Sequence, residues 1–356
     1  MPVITKPNQH FDTTTYTGNG GTQSITSLGF QPDFLWIKSR GSSAVHVVSD
    51  SVRGTDSNGY LFLAPDDTYG EGVFDTSWHN TYGKVTALNS NGFTVVNGTQ
   101  PGNVNTSADT YVAWSWKAGS TTVTNTAGST SAQVRANPTA GFSIVTWTGT
   151  GSTATIGHGL GVAPKMIIWM HRTNAGAYNH ITYHASLPSA AYVVYLNLAQ
   201  GQSSDNNAFN TTAPTSSVFT VGGYNSADTM VAYCFAEVAD YSKIGSYTGN
   251  GSTTNDGPFV YLGFRPKFII GKRSDSTGGW WMFDTSRNTS NLTDDYFYAD
   301  SSDGEFTNIT TLNIDILSNG FKVRSGTSPS SYINASGGTY IYMAFAESPF
   351  KFANAR

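Results

Sequence analysis

The residue types able to do chemistry are spread thinly along this chain. His180-x-x-x-His184 would place two imidazoles on one side of a helix or of a strand. No H-E-x-x-H accompanies them and no third ligand stands at a recognisable spacing, so the pair is not a metal motif. Asp66-Asp67 with Glu71, and Asp300 with Asp303 and Glu305, are acidic clusters. Neither has the spacing of a helix–loop–helix calcium site, and both read as solvated loops. The expectation is no cofactor, with calcium only as a guest that sandwich domains accept.

Catalysis finds no better footing. A glycosidase needs two facing carboxylates, and no acid pair stands out for that role. Serine is abundant, but no Gly-x-Ser-x-Gly elbow follows a strand. The single Cys234 sits between Tyr233 and Phe235, as an inert core thiol would. Gly18, Gly20 and Gly21, with Gly249 and Gly251, imitate a phosphate cradle, but a β-like stretch follows where a helix would have to start. The chain therefore reads as a non-enzyme, with a polysaccharide-active enzyme as a remote alternative. Asp50-x-x-Arg53 and Asp284-x-x-Arg287 read as local, exposed turn pairs worth about 0–1 kcal/mol. Lys38 and Arg40, His171 and Arg172, and Lys272 and Arg273 read as solvated guards at strand ends.

Aromatic residues are better candidates for binding. Consecutive aromatics on a strand point to opposite faces, so one of Trp280 and Trp281 is expected to be exposed. Trp78 and Tyr82 flank His79 in TSWHNTYG, which reads as an insertion. Aromatic faces stack on sugars and anchor interfaces. Trp78, His79, Tyr82, Trp280 and Trp281 are the candidate ligand-binding residues.

The elements that must position these residues come in three copies. YTGNGGTQSITSLGFQPDFLWIKSR begins at Tyr16, WTGTGSTATIGHGLGVAPKMIIWMHR at Trp147, and YTGNGSTTNDGPFVYLGFRPKFIIGKR at Tyr247. Each copy continues into a strand containing Phe93, Phe219 or Phe321. Each closes on an alternating strand, TYVAWSWK, TMVAYCF or TYIYMAF. No stretch has helical periodicity over three turns. The expected fold is all-β, three tandem antiparallel sandwiches. Residues 1–15 form an N-terminal arm, 16–119 the first repeat, 120–140 a polar strap, 141–240 the second repeat and 241–356 the third. Features present in all copies serve the fold, and features in one copy are the better functional candidates.

Composition removes several classes. The 356-residue chain carries a net charge of −4 with 12% charged and 13% aromatic residues. A nucleic-acid binder would show a basic stripe, a disordered chain few aromatics, and a membrane helix about 20 apolar residues in a row. The start, MPVITKPNQH, has no basic-then-apolar leader. The expectation is synthesis in a cytoplasm without a secretion signal.

The run YTGNG…LGFQPDFLWIKSR…SDSVRG…NSNGFTV…TYVAWSWKAG resembles a module of tailed-bacteriophage virion proteins, especially those of marine cyanophages. The resemblance spans nearly all of the chain after residue 10. It implies a lectin-like or laminin-G-like jelly-roll fold and a place in a tail fibre or other surface appendage. Implied partners are other virion proteins, reached through residues 1–15, and host surface glycan or receptor. Fibre proteins in general imply a homotrimer. A purely architectural head-decoration or tail-associated protein is the alternative. The family supplies no catalytic residues.

Overall fold

The computed structural model describes residues 4–71, 75–173, 178–324 and 332–349. Its regular secondary structure is almost wholly antiparallel strand. In each copy four strands pair in the same order: an opening strand, the closing strand, the apolar strand and a fourth strand. In the first copy these are Phe11–Thr17, Thr110–Trp116, Phe34–Ser39 and Val47–Asp50. In the second they are Phe142–Thr148, Thr229–Phe235, Met166–His171 and Ile181–His184. In the third they are Ser242–Thr248, Thr339–Pro349, Phe264–Arg273 and Trp281–Asp284. The register repeats as well: Phe34, Met166 and Phe268 lie opposite Trp116, Phe235 and Phe345.

The alternation of the closing and apolar strands has a double use. Phe34, Trp36, Trp114 and Trp116 face one apolar cluster, while Leu35, Ile37, Tyr111 and Ala113 face another. The second cluster lies between this sheet and a smaller one made of Thr22–Ile25, Gly92–Val96 and Lys84–Asn89. The second and third copies have the same arrangement with clusters of their own. The first cluster is common property. It gathers Phe34 and Trp116 with Phe142, Met166 and Tyr233, and with Phe268, Trp280 and Phe345. Hence the closing and apolar strands bury both of their faces. This explains the low charge and high aromatic content: three sheets line a shared interior and each lines a private one.

Residues 4–15 are part of this body. Ile4 and Pro7 are buried, and Phe11 stacks on Phe345 with ring centroids 4.9 Å apart. The first copy's opening strand thus begins at Phe11, ahead of Tyr16. Residues 1–3 of the expected arm and 350–356 of the third repeat lie outside the described residues. The polar strap supplies the strands Val123–Asn125 and Ala132–Asn137, which extend the second copy's sheet.

The glycine-rich openings are turns pinned from below. A Cβ at Gly18, Gly149 or Gly249 would fall 2.1, 1.8 or 2.2 Å from the carbonyl oxygen of Thr106, Ser226 or Ala335. Asn105 and Asn334 accept from the turn amides of Asn19 and Asn250 at 3.1 and 3.0 Å. These are backbone-to-backbone approaches that only glycine allows.

Candidate functional site

The three copies close into a ring through equivalent contacts. His46, His180 and Trp280 occupy one position, each just before the fourth strand of its copy. Each ring nitrogen reaches a carbonyl of a neighbouring copy: His46 Nε2 to Tyr298 at 3.1 Å, Trp280 Nε1 to Tyr195 at 2.9 Å and His180 Nε2 to Ala64 at 2.8 Å. The first copy thus holds the third, the third the second, and the second the first. His180 and His184 are both used this way, His184 Nε2 meeting the Tyr342 carbonyl at 3.1 Å. Burial lowers both imidazoles, His184 to about 4, so they are neutral near pH 7.

The Asp-x-x-Arg pairs are buried and cross the seams, contrary to the exposed turn pairs expected. Arg53 Nε donates to Asp50 Oδ2 at 2.5 Å and Arg53 Nη1 to Glu71 at 3.0 Å, with both Asp50 and Arg53 side chains inaccessible. From the second copy, Tyr233 Oη donates to Asp50 at 2.8 Å and Arg172 Nε to Glu71 at 2.9 Å. The third copy repeats this with Asp284, Arg287 and Glu305, which receive Trp114 and Arg40 from the first copy at 3.1 and 2.8 Å. Burial pulls the Asp50 carboxyl upward, but the Arg53 charge and its hydrogen bonds override that and hold it below the usual range. In the second copy all three positions change together, to His184, Leu187 and Gln202. The facing donor changes too, to Met343, which has nothing to donate.

The strand-end lysines are likewise buried, not solvated. Lys38 Nζ donates to the Ser302 carbonyl at 3.1 Å, and Lys272 Nζ to that of Leu198 at 2.9 Å. Burial pulls each down to about 8. Met170 occupies the equivalent place in the second copy. A lysine depressed from 10.5 to about 8 penalises folding fully below pH 8, and the penalty fades as pH rises to 10.5. Lys38→Met is therefore expected to stabilise the protein at pH 7, by up to roughly 3 kcal/mol, with the advantage shrinking by pH 10.5. Urea midpoints at the two pH values check this; a Lys38→Met advantage that does not shrink would contradict it.

Among the candidate ligand-binding residues, Trp280 and Trp281 are corrected. They are 1% and 0% exposed. Trp280 faces the shared interior and Trp281 the third copy's own cluster, because the sheet carrying them lies between two cores. Trp78, His79 and Tyr82 lie together on α1 (Thr76–Tyr82), whose N-cap Asp75 accepts from the amides of Ser77 and Trp78 at 2.9 and 3.0 Å. Trp78 and Tyr82 are four apart and share a face, their rings 5.3 Å apart. His79 points inward onto Phe62 at 4.8 Å, is wholly buried, and has no hydrogen-bond partner among the described residues. It supports the helix and cannot meet a ligand from solvent.

Trp78 and Tyr82 border a shallow groove of about 290 Å³, together with Val45, Asn103 and, from the third copy, Ser302. Tyr82 is 38% exposed. Sequence gave no sign of Ser302, which lies far along the chain. It could have shown the helix: an Asp N-cap recurs at Asp205 before α2 (Asn206–Phe209), so TSWHNTYG enlarges a shared feature.

The acidic clusters have internal partners. Asp66 and Asp300 accept from the amides of His46 and Trp280 at 2.9 and 2.6 Å, and burial pushes Asp66 up to about 7. Among the described residues no three His, Cys, Asp or Glu side chains gather as metal ligands would. His171 Nδ1 lies 3.2 Å from Asp228, and its Nε2 has no hydrogen-bond partner among the described residues. Cys234 is buried and its thiol is pushed far up by burial. No described helix is long and apolar enough to cross a membrane.

A family model described as a domain of unknown function, DUF7483, matches residues 6–349, and the chain belongs to that family. No curated protein and no solved structure matches the chain.

Proposed function

We propose that this DUF7483 protein is a non-enzymatic structural component of a tailed-bacteriophage particle, a tail fibre or other surface appendage that contacts host saccharide. On this reading each copy is a lectin-like, laminin-G-like sandwich, its larger sheet facing its smaller one across a private core. The resemblance of the three-copy motif to virion modules gives the setting. The observation that carries the contact is the Trp78–Tyr82 pair beside the polar rim of Asn103 and Ser302. Adjacent aromatic rings with polar neighbours suit the apolar face and hydroxyl edge of a sugar. The three copies of one chain share an aromatic interior, so the proposed building block of the appendage is the single chain with its three copies.

The test is adsorption of the purified chain to host cells, with immunogold electron microscopy of particles alongside. Trp78→Ala with Tyr82→Ala is expected to weaken adsorption roughly tenfold or more, about 1.4 kcal/mol. Undiminished adsorption would remove this groove from the proposal, and absence from particles would remove the virion setting. The inward allocation of Trp280 and Trp281 favours the architectural alternative. It predicts a chain present on particles but indifferent to host cells.

A further inference from the structure

We propose that the seam between the second and third copies holds a second saccharide site, centred on Tyr261 and separate from the Trp78–Tyr82 groove. The three seams can be compared at the end of the molecule where the apolar strands begin. Asp33, Lys165 and Lys267 occupy the same position, each just before the residue that lies opposite Trp116, Phe235 or Phe345.

The seam between the first and second copies is filled. Arg135 Nε lies 2.9 Å from Asp33 Oδ1 and donates to the Gly119 carbonyl at 2.6 Å. The seam between the third and first is open, a cavity of about 380 Å³ beside Lys6, Asp12 and Lys267, but its aromatic residue, Phe11, is 1% exposed. The seam between the second and third is a groove of about 510 Å³, within the range of small-molecule sites. Its lining includes Val162, 51% exposed, and Tyr261, 61% exposed. In a chain that turns nearly all its large aromatics inward, this ring stands out in solvent. The strand Phe259–Tyr261 points Val260 into the core and Tyr261 outward.

Polar groups converge beside the ring. Glu237 is held between the ammonium groups of Lys165 and Lys243, the latter at 2.6 Å. Burial pushes the Glu237 carboxyl up, but the bonds from Lys165 and Lys243 override this and keep it ionised at neutral pH. Both lysines remain nearly half exposed, so they keep donors for a ligand. Asp240 adopts φ 63°, a left-handed conformation that costs a non-glycine residue energy and persists only where its surroundings impose it. A Cβ on Gly263 would fall 3.7 Å from Asp240 Oδ1 and 3.8 Å from the Tyr261 hydroxyl. The missing side chain at Gly263 thus leaves an open corner flanked by both.

This set matches a pyranose. The C–H face of the sugar lies on the Tyr261 ring. Its hydroxyls donate to the Asp240 and Glu237 carboxylates and accept from Lys165 and Lys243. Two carboxylates and two ammonium groups sum to zero, so the chemical class is a neutral hexose-containing saccharide rather than a uronate or a phosphate.

The experiment is a glycan array with neutral hexose-terminated and uronate-terminated oligosaccharides, probed with the full chain. The wild type is expected to bind neutral glycans. Tyr261→Ala should lower apparent affinity roughly tenfold or more, and Tyr261→Phe, which keeps the ring, should stay within about threefold. Tyr261 is exposed, so an unchanged melting temperature should show that Tyr261→Ala folds. Val123→Ala, at an exposed residue that lines neither groove, should leave these signals in place. The proposal is overturned if Tyr261→Ala binds as the wild type does, if binding is confined to uronates or missing, or if Val123→Ala lowers the same signals as much as Tyr261→Ala does. The Trp78–Tyr82 contact and the virion setting are judged by their own adsorption and localisation results.

Discussion

Replacing Arg53 with methionine is expected to destabilise the protein by about 3–5 kcal/mol, the usual cost of breaking one side of a buried ion pair. Arg53 stands between two carboxylates, Asp50 and Glu71, and its Nη2 also donates to the Val48 carbonyl at 2.9 Å. Methionine would leave Asp50 buried with only the Tyr233 hydroxyl and local amides as partners. The four charges Asp50, Arg53, Glu71 and Arg172 sum to zero, and losing one leaves an uncompensated anion away from water. The second copy shows an uncharged solution at its equivalent seam with the third. Asp50→His, Arg53→Leu and Glu71→Gln, with Tyr233→Met and Arg172→Ser to match the facing copy, should therefore cost less than Arg53→Met alone, because no charge is left stranded. Urea denaturation of the two variants decides the matter. A five-residue variant no more stable than Arg53→Met would show that the three positions do not act as a unit.

Trp116→Ala is expected to cost about 3–5 kcal/mol as well, for a different reason: a large cavity in an interior that cannot collapse around it. The indole of Trp116 lies 4.7 Å from the Phe11 ring and 5.2 Å from that of Phe34. It also lies 6.2 Å from Phe235 of the second copy, and 5.8 and 5.6 Å from Phe268 and Phe345 of the third. Ring pairs of this kind add to simple burial. The loss should appear in the melting temperature as one shifted transition. A separate early transition, leaving the other two copies at the wild-type temperature, would contradict a shared interior.

The repeated pattern made the strand order legible, because alternation and turn chemistry are local signals. The use of both strand faces was written as Phe34-Leu35-Trp36-Ile37, apolar throughout. The same pattern fits a strand buried in one sandwich or a sheet between two cores, so the ring of copies could not be read from it. The Asp-x-x-Arg pairs were visible as motifs, but their partners Tyr233 and Trp114 are on other copies, and nothing local announces burial. The joint change to His184, Leu187 and Gln202 was the available clue, since three substitutions at three matching positions imply one shared contact. At the candidate site, Trp78 and Tyr82 were found by type alone. Trp280 and Trp281 misled for the same reason: an aromatic doublet says that both faces are covered, and not by what. Tyr261 went unnoticed because a tyrosine on a short strand is ordinary until its neighbours leave it exposed.

Hydrogen–deuterium exchange of Trp116→Ala, measured along the whole chain by mass spectrometry, tests most directly whether the three copies form one body. The substitution lies in the first copy. Faster exchange is predicted together in Thr110–Trp116, in Thr229–Phe235 and in the paired residues of Phe264–Arg273, because all three strands line the interior that Trp116 fills. Acceleration confined to the first copy, with the second and third protected as in the wild type, would contradict the account.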